Sequence, residues 1–483
     1  MSKFYKIKSL VCLVLLIAVK NFQAQTQEYE QGVHGRSEEY VAPTDPQVLE
    51  KLDKWGNQKF GMLIHWGVYS VPGIMESWNL CSEDWIERDS TIAYNDYKKW
   101  YWNLDKIFNP VNFDPDSWAD AAEAAGMKYM VFTTKHHDGF NMFDTQQTDY
   151  KITNGPFQNH PKANVTKHIF EAFRKKGFMI GAYYSKPDWH SEYFWWDKYA
   201  TPNRNANYDI EKYDWRWNKF KEFSYNQIEE LMTGYGSVDI LWLDGGWVRP
   251  KETVNDEVRA WGAPIPDFSQ EIDMPKIAEM AREKQPGIIF ADRTVHGPYE
   301  NYQTPERKIP DDKLNNPWES CLPLGNNWGY VPNDPFKSST AVIHNLVEVV
   351  AKGGNMLLGI GPKPDGTISL EVVEKLETIG AWLDKNGEAI YDTHAIENYQ
   401  DGNVYFTESD EKLFAIAMFE EGAKLPKTIT WNKNLPKEKA KITILETGKE
   451  VDFKIKNCKV EINLPKEIPS ENNSPGIAFS IEN

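Results

Sequence analysis

The chain has 483 residues, which suggests more than one domain, and carries 71 acidic against 54 basic residues for a formal net charge of −17. That balance, with no stripe of lysine and arginine, excludes a nucleic-acid-binding role. Beyond the N-terminal residues no segment approaches bilayer-spanning length, so the chain is not expected to span a membrane.

Lys3, Lys6 and Lys8 precede an apolar run from Leu10 to Val19, and Gln23-Ala24-Gln25 offers a small-residue cleavage point. Residues 1–25 therefore read as a cleavable signal peptide of an exported protein, periplasmic or secreted. Its removal takes Lys3, Lys6, Lys8 and Lys20 with it and leaves the mature chain more acidic still. Cys81, Cys321 and Cys458 remain. An odd number at wide spacing indicates neither a disulfide framework nor a zinc site, and leaves one disulfide open.

From about residue 50 to 387, strand and helix patterns alternate. Phe60-Gly61-Met62-Leu63-Ile64 reads as a strand running into His65-Trp66-Gly67. A helix capped by Asp116 and closed by Gly126 precedes a strand at 129–134, which delivers Lys135-His136-His137-Asp138-Gly139. A helix over 166–176 leads into a strand at 179–185, and one around 213–232 leads into Val238-Asp239-Ile240-Leu241-Trp242-Leu243-Asp244-Gly245-Gly246. Such apolar runs are strands buried on both faces, and the glycines leave Asp244 at a carboxyl end, as a helix cap or as a functional group. Helices at 277–284, 339–351 and 370–386 and strands at 288–291 and 356–360 complete the series, with a Pro- and acid-rich excursion at 247–275. Repeated strand-then-helix units imply parallel pairing and a (β/α)8-like barrel. After Gly387, short runs at 404–406, 413–417, 428–431 and 441–444 lie between turns without helical periodicity. They predict a small C-terminal antiparallel β-sandwich. The expected division is a leader to residue 25, a barrel over 26–390 and a sandwich over 391–483.

Catalytic groups of parallel barrels sit at the carboxyl ends of the strands. Those ends collect His65, Trp66, His136, His137, Tyr183, Asp244 and Arg293, and later loops add Glu300, Glu306 and Glu319. Polar and aromatic groups around one mouth suit a hydroxyl-rich ligand, and the carboxylates suit bond cleavage. Adjacent histidines point to opposite sides of an extended chain, so a metal at His136 and His137 needs a bend and a third ligand. No metal and no cofactor is expected.

These stretches, together with Tyr183-Tyr184-Ser185, Asp292-Arg293, Thr304-Pro305-Glu306, Trp318-Glu319, Trp328-Gly329-Tyr330 and the 355–362 segment, resemble in order the α-L-fucosidases of glycoside hydrolase family 29. The resemblance implies a retaining exo-α-L-fucosidase that removes terminal fucose from oligosaccharides or glycoconjugates through a covalent fucosyl-enzyme. It assigns the nucleophile to Asp244 and the acid/base to Glu306, then Glu300, then Glu319. It implies sugar contacts from His65, Glu76, Trp78, Trp100, His136, His137, Tyr183, Trp242 and Arg293, with the histidines and the arginine making charge-assisted bonds. Lys99 stands where some relatives have a glutamate. The alternatives are another retaining exo-glycosidase, acting on galactosides, or a carbohydrate-binding relative without catalysis. Linkage preference and oligomeric state are not legible.

Overall fold

The computed structural model describes residues 40–483 except 87, 466–467 and 469–473. The expected signal peptide lies outside the described residues. Seven parallel strands form one sheet: β1 (Phe60–Ile64), β2 (Tyr129–Lys135), β3 (Met179–Ser185), β4 (Ile240–Asp244), β5 (Ile289–Asp292), β6 (Glu319–Pro323) and β7 (Asn355–Ile360). Their order is β5-β4-β3-β2-β1-β7-β6. Every residue of these strands is buried except Asp244, as the apolar runs of all but β6 require. Leu63, Val131, Tyr183, Trp242 and Leu357 meet inside the curved sheet, while residues such as Met62, Phe132 and Leu243 pack outward against the helices.

The eighth position is filled irregularly. After β5 the chain doubles back, with Asp292 N donating to Tyr299 O at 3.0 Å and Asn301 N to Phe290 O at 2.9 Å. From Gln303 it runs parallel to β6, where Glu319 N donates to Gln303 O at 2.8 Å and Cys321 N to Pro305 O at 3.2 Å. Pro298 and Pro305 lack the N–H that a regular ladder needs. The segment carrying Glu300 and Glu306 thus closes the wall between β5 and β6.

Two of the elements that escape the sequence pattern bear on the barrel. The helix Pro46–Gln58 buries Val48, Leu52 and Trp55 against the barrel interior, and Trp55 stacks on Tyr302 at 4.1 Å. β6 is the other; its residues include Glu319, Ser320 and Pro323, which do not read as a buried strand. The helix expected to be capped by Asp116 begins instead at Pro115, with Asp114 at the cap. Proline favours the first helical position, which moves the boundary back and puts Asp116 in the first turn.

Beyond Gly387, a six-stranded and a three-stranded antiparallel sheet face each other across Phe406, Trp431, Ile442, Val460 and Phe479. The outer face of the larger sheet, with Phe414 and Ile416, joins the main core through the helices Ser339–Ala351 and Leu370–Asn386. Trp382 Nε1 donates to Gly476 O at 2.9 Å across that contact. The fold is a (β/α)8-like barrel followed by a β-sandwich. Cys81, Cys321 and Cys458 are free, the first two buried and the third exposed. Among the described residues no helix is long and apolar enough to cross a membrane.

Candidate active site

A pocket opens at the carboxyl ends of the strands, lined by His65, His136, His137, Tyr183, Asp244, Arg293 and Glu306 together with aromatic walls. Asp244 ends β4, and the chain must turn at once. Gly245 takes φ +89°, and a Cβ there would lie 2.3 Å from Pro187 Cδ, so only glycine fits. Gly245 N donates to Asp244 Oδ1 at 2.8 Å. Tyr183, two residues from the carboxyl end of β3, donates its hydroxyl to Asp244 Oδ2 at 2.6 Å.

Arg293, one residue past β5, divides its guanidinium between two carboxylates. Nη1 donates to Asp244 Oδ1 at 2.9 Å and Nη2 to Glu306 Oε2 at 2.7 Å. Its Nε donates to Thr304 Oγ1 at 3.1 Å, and its plane lies 4.3 Å from the Trp242 ring centroid. Burial works against its charge, but Asp244 and Glu306 hold the guanidinium well above its ordinary pKa.

The three histidines are buried and neutral. Burial pulls His136 down to about 4 and His65 and His137 well below the usual imidazole range. This corrects the expectation of charge-assisted bonds from them: burial disfavours the imidazolium, so of these four groups only Arg293 brings a positive charge. Ser77 Oγ shares a hydrogen bond with His136 Nδ1, and Ser185 Oγ with His137 Nδ1 at 2.7 Å. His65 stacks on Trp328 at 5.2 Å, and its buried Nδ1 has no hydrogen-bond partner among the described residues. Neutral imidazoles can both donate and accept, which suits sugar hydroxyls.

The bend that an extended His136-His137 pair lacks is present. The chain turns after β2, Gly139 N donating to His136 O at 3.0 Å, and the two rings come within 4.3 Å. Asp244 brings a third ligand atom, all three lying within 4.8 Å of one another. The spacing argument against a third ligand therefore does not hold in space. The electrostatics still disfavour a cation, because Asp244 already accepts from Arg293, Tyr183 and the Gly245 amide.

Other sequence-selected residues fall into distinct places. Trp78 lines the pocket, edge-on to His137 at 5.1 Å. Glu76 does not line it: its Oε1 accepts from Trp328 N and Gly329 N, both at 2.8 Å, and so fixes the Trp328 wall. Trp100 is 42% exposed on the helix Tyr94–Trp102 and outside the pocket, because its neighbour Tyr101 takes the inward face and donates to Asp138 at 2.8 Å. Trp242 contributes a ring wall and donates Nε1 to Glu319 Oε1 at 3.2 Å. Glu319 lies at the opposite end of β6 from the mouth, where Tyr129 also donates to it at 2.7 Å. Glu300 is buried behind the site, its Oε2 2.7 Å from His296 Nδ1 and its Oε1 accepting from Thr294 N at 3.1 Å. Of the three glutamates, only Glu306 lines the pocket.

Trp247, Arg204 and Cys321 also line it and were not singled out. Trp247, three residues past Asp244 on the turn from β4, had a positional signal. Arg204 had none: it is drawn in by Glu83, far away in sequence.

A family model described as Alpha-L-fucosidase matches residues 27–388. The chain belongs to the α-L-fucosidases of glycoside hydrolase family 29. Plasma alpha-L-fucosidase of Rattus norvegicus is 29% identical over 397 residues, covering 78% of this chain and 80% of the relative. The structure of alpha-L-fucosidase isoenzyme 1 from Paenibacillus thiaminolyticus aligns with a TM-score of 0.71 and 28% identity, over 90% of this chain and 99% of that one. An alpha-L-fucosidase from Bacteroides thetaiotaomicron, solved as a trapped covalent intermediate, shares the fold at TM-score 0.68 and 21% identity, over 92% and 97%. The chain is thus an α-L-fucosidase, a glycoside hydrolase, and the galactosidase and binding-protein alternatives fall away.

Proposed function

We propose that Asp244 is the nucleophile and Glu306 the acid/base of this fucosidase. The observation that carries the reading is that, of the candidate glutamates, only Glu306 shares both the pocket and the Arg293 guanidinium with Asp244. Retaining glycosidases need two carboxyl groups close together, and a single arginine fork holds such a pair. Asp244 attacks the anomeric carbon while Glu306 protonates the departing glycosidic oxygen. Glu306 then takes a proton from water as that water displaces fucose from Asp244.

His65, His136, His137 and Tyr183 meet the sugar hydroxyls, Trp78 and Trp242 provide wall, and Arg293 orients both carboxylates. The aromatic lining also offers an apolar surface to the methyl group that distinguishes fucose from galactose. Glu76 serves by placing Trp328, and Trp100 makes no sugar contact within the pocket. No metal or cofactor takes part. The chain is exported after loss of residues 1–25, which agrees with its similarity to plasma fucosidases; residues 26–390 are the catalytic unit and 391–483 the accessory sandwich. NMR of the first-formed product tests the stereochemistry: α-fucose is expected, and β-fucose would overturn the two-carboxylate assignment.

A further inference from the structure

The pocket wall continues outward. Trp85 lies against the pocket-lining Trp78, ring centroids 5.2 Å apart and planes inclined at 57°. Trp85 is 39% exposed, whereas the other indoles touching Trp78, those of Trp189 and Trp247, are buried. A single exposed apolar residue is ordinary and signals nothing alone. Trp85 differs in being anchored. Its Nε1 donates to Glu83 Oε2 at 2.8 Å. Glu83 is itself gripped by Arg204, Nε to Oε1 at 2.8 Å and Nη2 to Oε2 at 2.6 Å. Arg204 lines the pocket, 4.7 Å from the Trp78 ring centroid and 5.0 Å from that of Trp247. Burial works against the Glu83 charge, but the Arg204 bonds prevail and hold its carboxyl below the ordinary glutamate range. An exposed aromatic face is therefore fixed to the pocket wall through a charged relay, with little freedom left to lose when something lands on it.

An exo-acting enzyme takes one terminal sugar into its pocket, so the residue that carries that sugar must stand at the mouth. Pyranose rings present faces of C–H groups that pack on flat aromatic rings by dispersion and burial. We infer that Trp85 is the stacking platform of a leaving-group subsite, binding the pyranose ring to which the fucose is attached. This rests on the pocket being the fucose site. A tryptophan suits the task because it offers a large, rigid contact area at small entropy cost. The subsite also gives the enzyme a preference for saccharide leaving groups over leaving groups without a ring.

The test compares two substrates in one protein: α-L-fucosyl fluoride, whose leaving group has no ring, and the fucosyl disaccharide best cleaved by the wild type from a linkage-defined panel. For Trp85→Ala, the ratio of kcat/KM on the disaccharide to kcat/KM on the fluoride is expected to fall about fivefold to tenfold, the scale of a lost aromatic contact. Trp85→Phe, which keeps a ring but loses the N–H to Glu83, should recover most of that ratio. A ratio unmoved by Trp85→Ala overturns the subsite, whether both activities persist or both fall together, because the indole would then be idle or merely support the pocket. If wild-type protein cleaves neither substrate, the fucosidase reading itself fails and the subsite with it.

Discussion

Asp244 and Glu306, sixty-two residues apart, are held by one guanidinium: Arg293 reaches the first through Nη1 at 2.9 Å and the second through Nη2 at 2.7 Å. The arrangement depends on a planar fork. A lysine in its place has one point of attachment and cannot orient both groups. Arg293→Lys is expected to lower kcat/KM on an aryl fucoside about 100-fold, since misplaced reacting groups forfeit their alignment. An unaltered circular dichroism spectrum would locate the loss in the site and not the fold.

Glu319 gives a prediction with the opposite emphasis, on stability and not on rate. Burial pushes its carboxyl up to about 7 from an ordinary value of 4.5. Folded protein thus keeps Glu319 protonated up to about pH 7, while unfolded chain ionises it near 4.5. Its contribution to stability is complete below the unfolded value and is lost as pH rises through about 7. Glu319→Gln retains the shape and removes the ionisation. Between about pH 5 and about pH 8 the variant should gain in Tm relative to the parent, by about 2 °C or more at the alkaline end, with activity within about twofold. A large activity loss in Glu319→Gln would return this residue to the list of acid/base candidates.

Much of the barrel was legible because strands buried on both faces leave unbroken apolar runs, and β1 to β5 and β7 all do. β6 was not, because Glu319 and Ser320 interrupt the run and their polar groups are satisfied by partners far away in sequence. The strand ends gave Asp244, His136, His137, Tyr183 and Arg293 directly. What the sequence could not convey was direction and distance. Glu76 and Trp78 stand two apart in sequence, yet one supports a wall and the other is a wall. Trp100 faces solvent because Tyr101 takes the inward side of their helix. The Arg204–Glu83 pair joins positions 121 residues apart, and no local pattern announces it.

Metal independence follows from the company Asp244 keeps. Although His136, His137 and Asp244 come within ligating range of one another, a cation there would face the Arg293 charge and displace the Tyr183 hydroxyl. Prolonged treatment with a strong chelator is expected to leave activity intact. Loss of activity that zinc or calcium restores would contradict this.

Export is checked most simply by mass. Protein recovered from the native host should begin near Gln25 or Thr26, and an intact Met1 would count against the leader.

The roles of the two carboxylates are separated most directly by azide rescue. With Asp244→Gly, kcat should fall by about three orders of magnitude or more, the covalent step having lost its nucleophile. Azide entering the vacated space then attacks the sugar itself and yields the inverted β-fucosyl azide. With Glu306→Ala, an activated substrate still fucosylates Asp244, the intermediate stalls, and azide releases it as the retained α-azide. The account predicts the β-azide from the first variant and the α-azide from the second. An α-azide from Glu300→Ala, with Glu306→Ala near wild-type activity, would contradict it and move the proton to the residue behind the pocket.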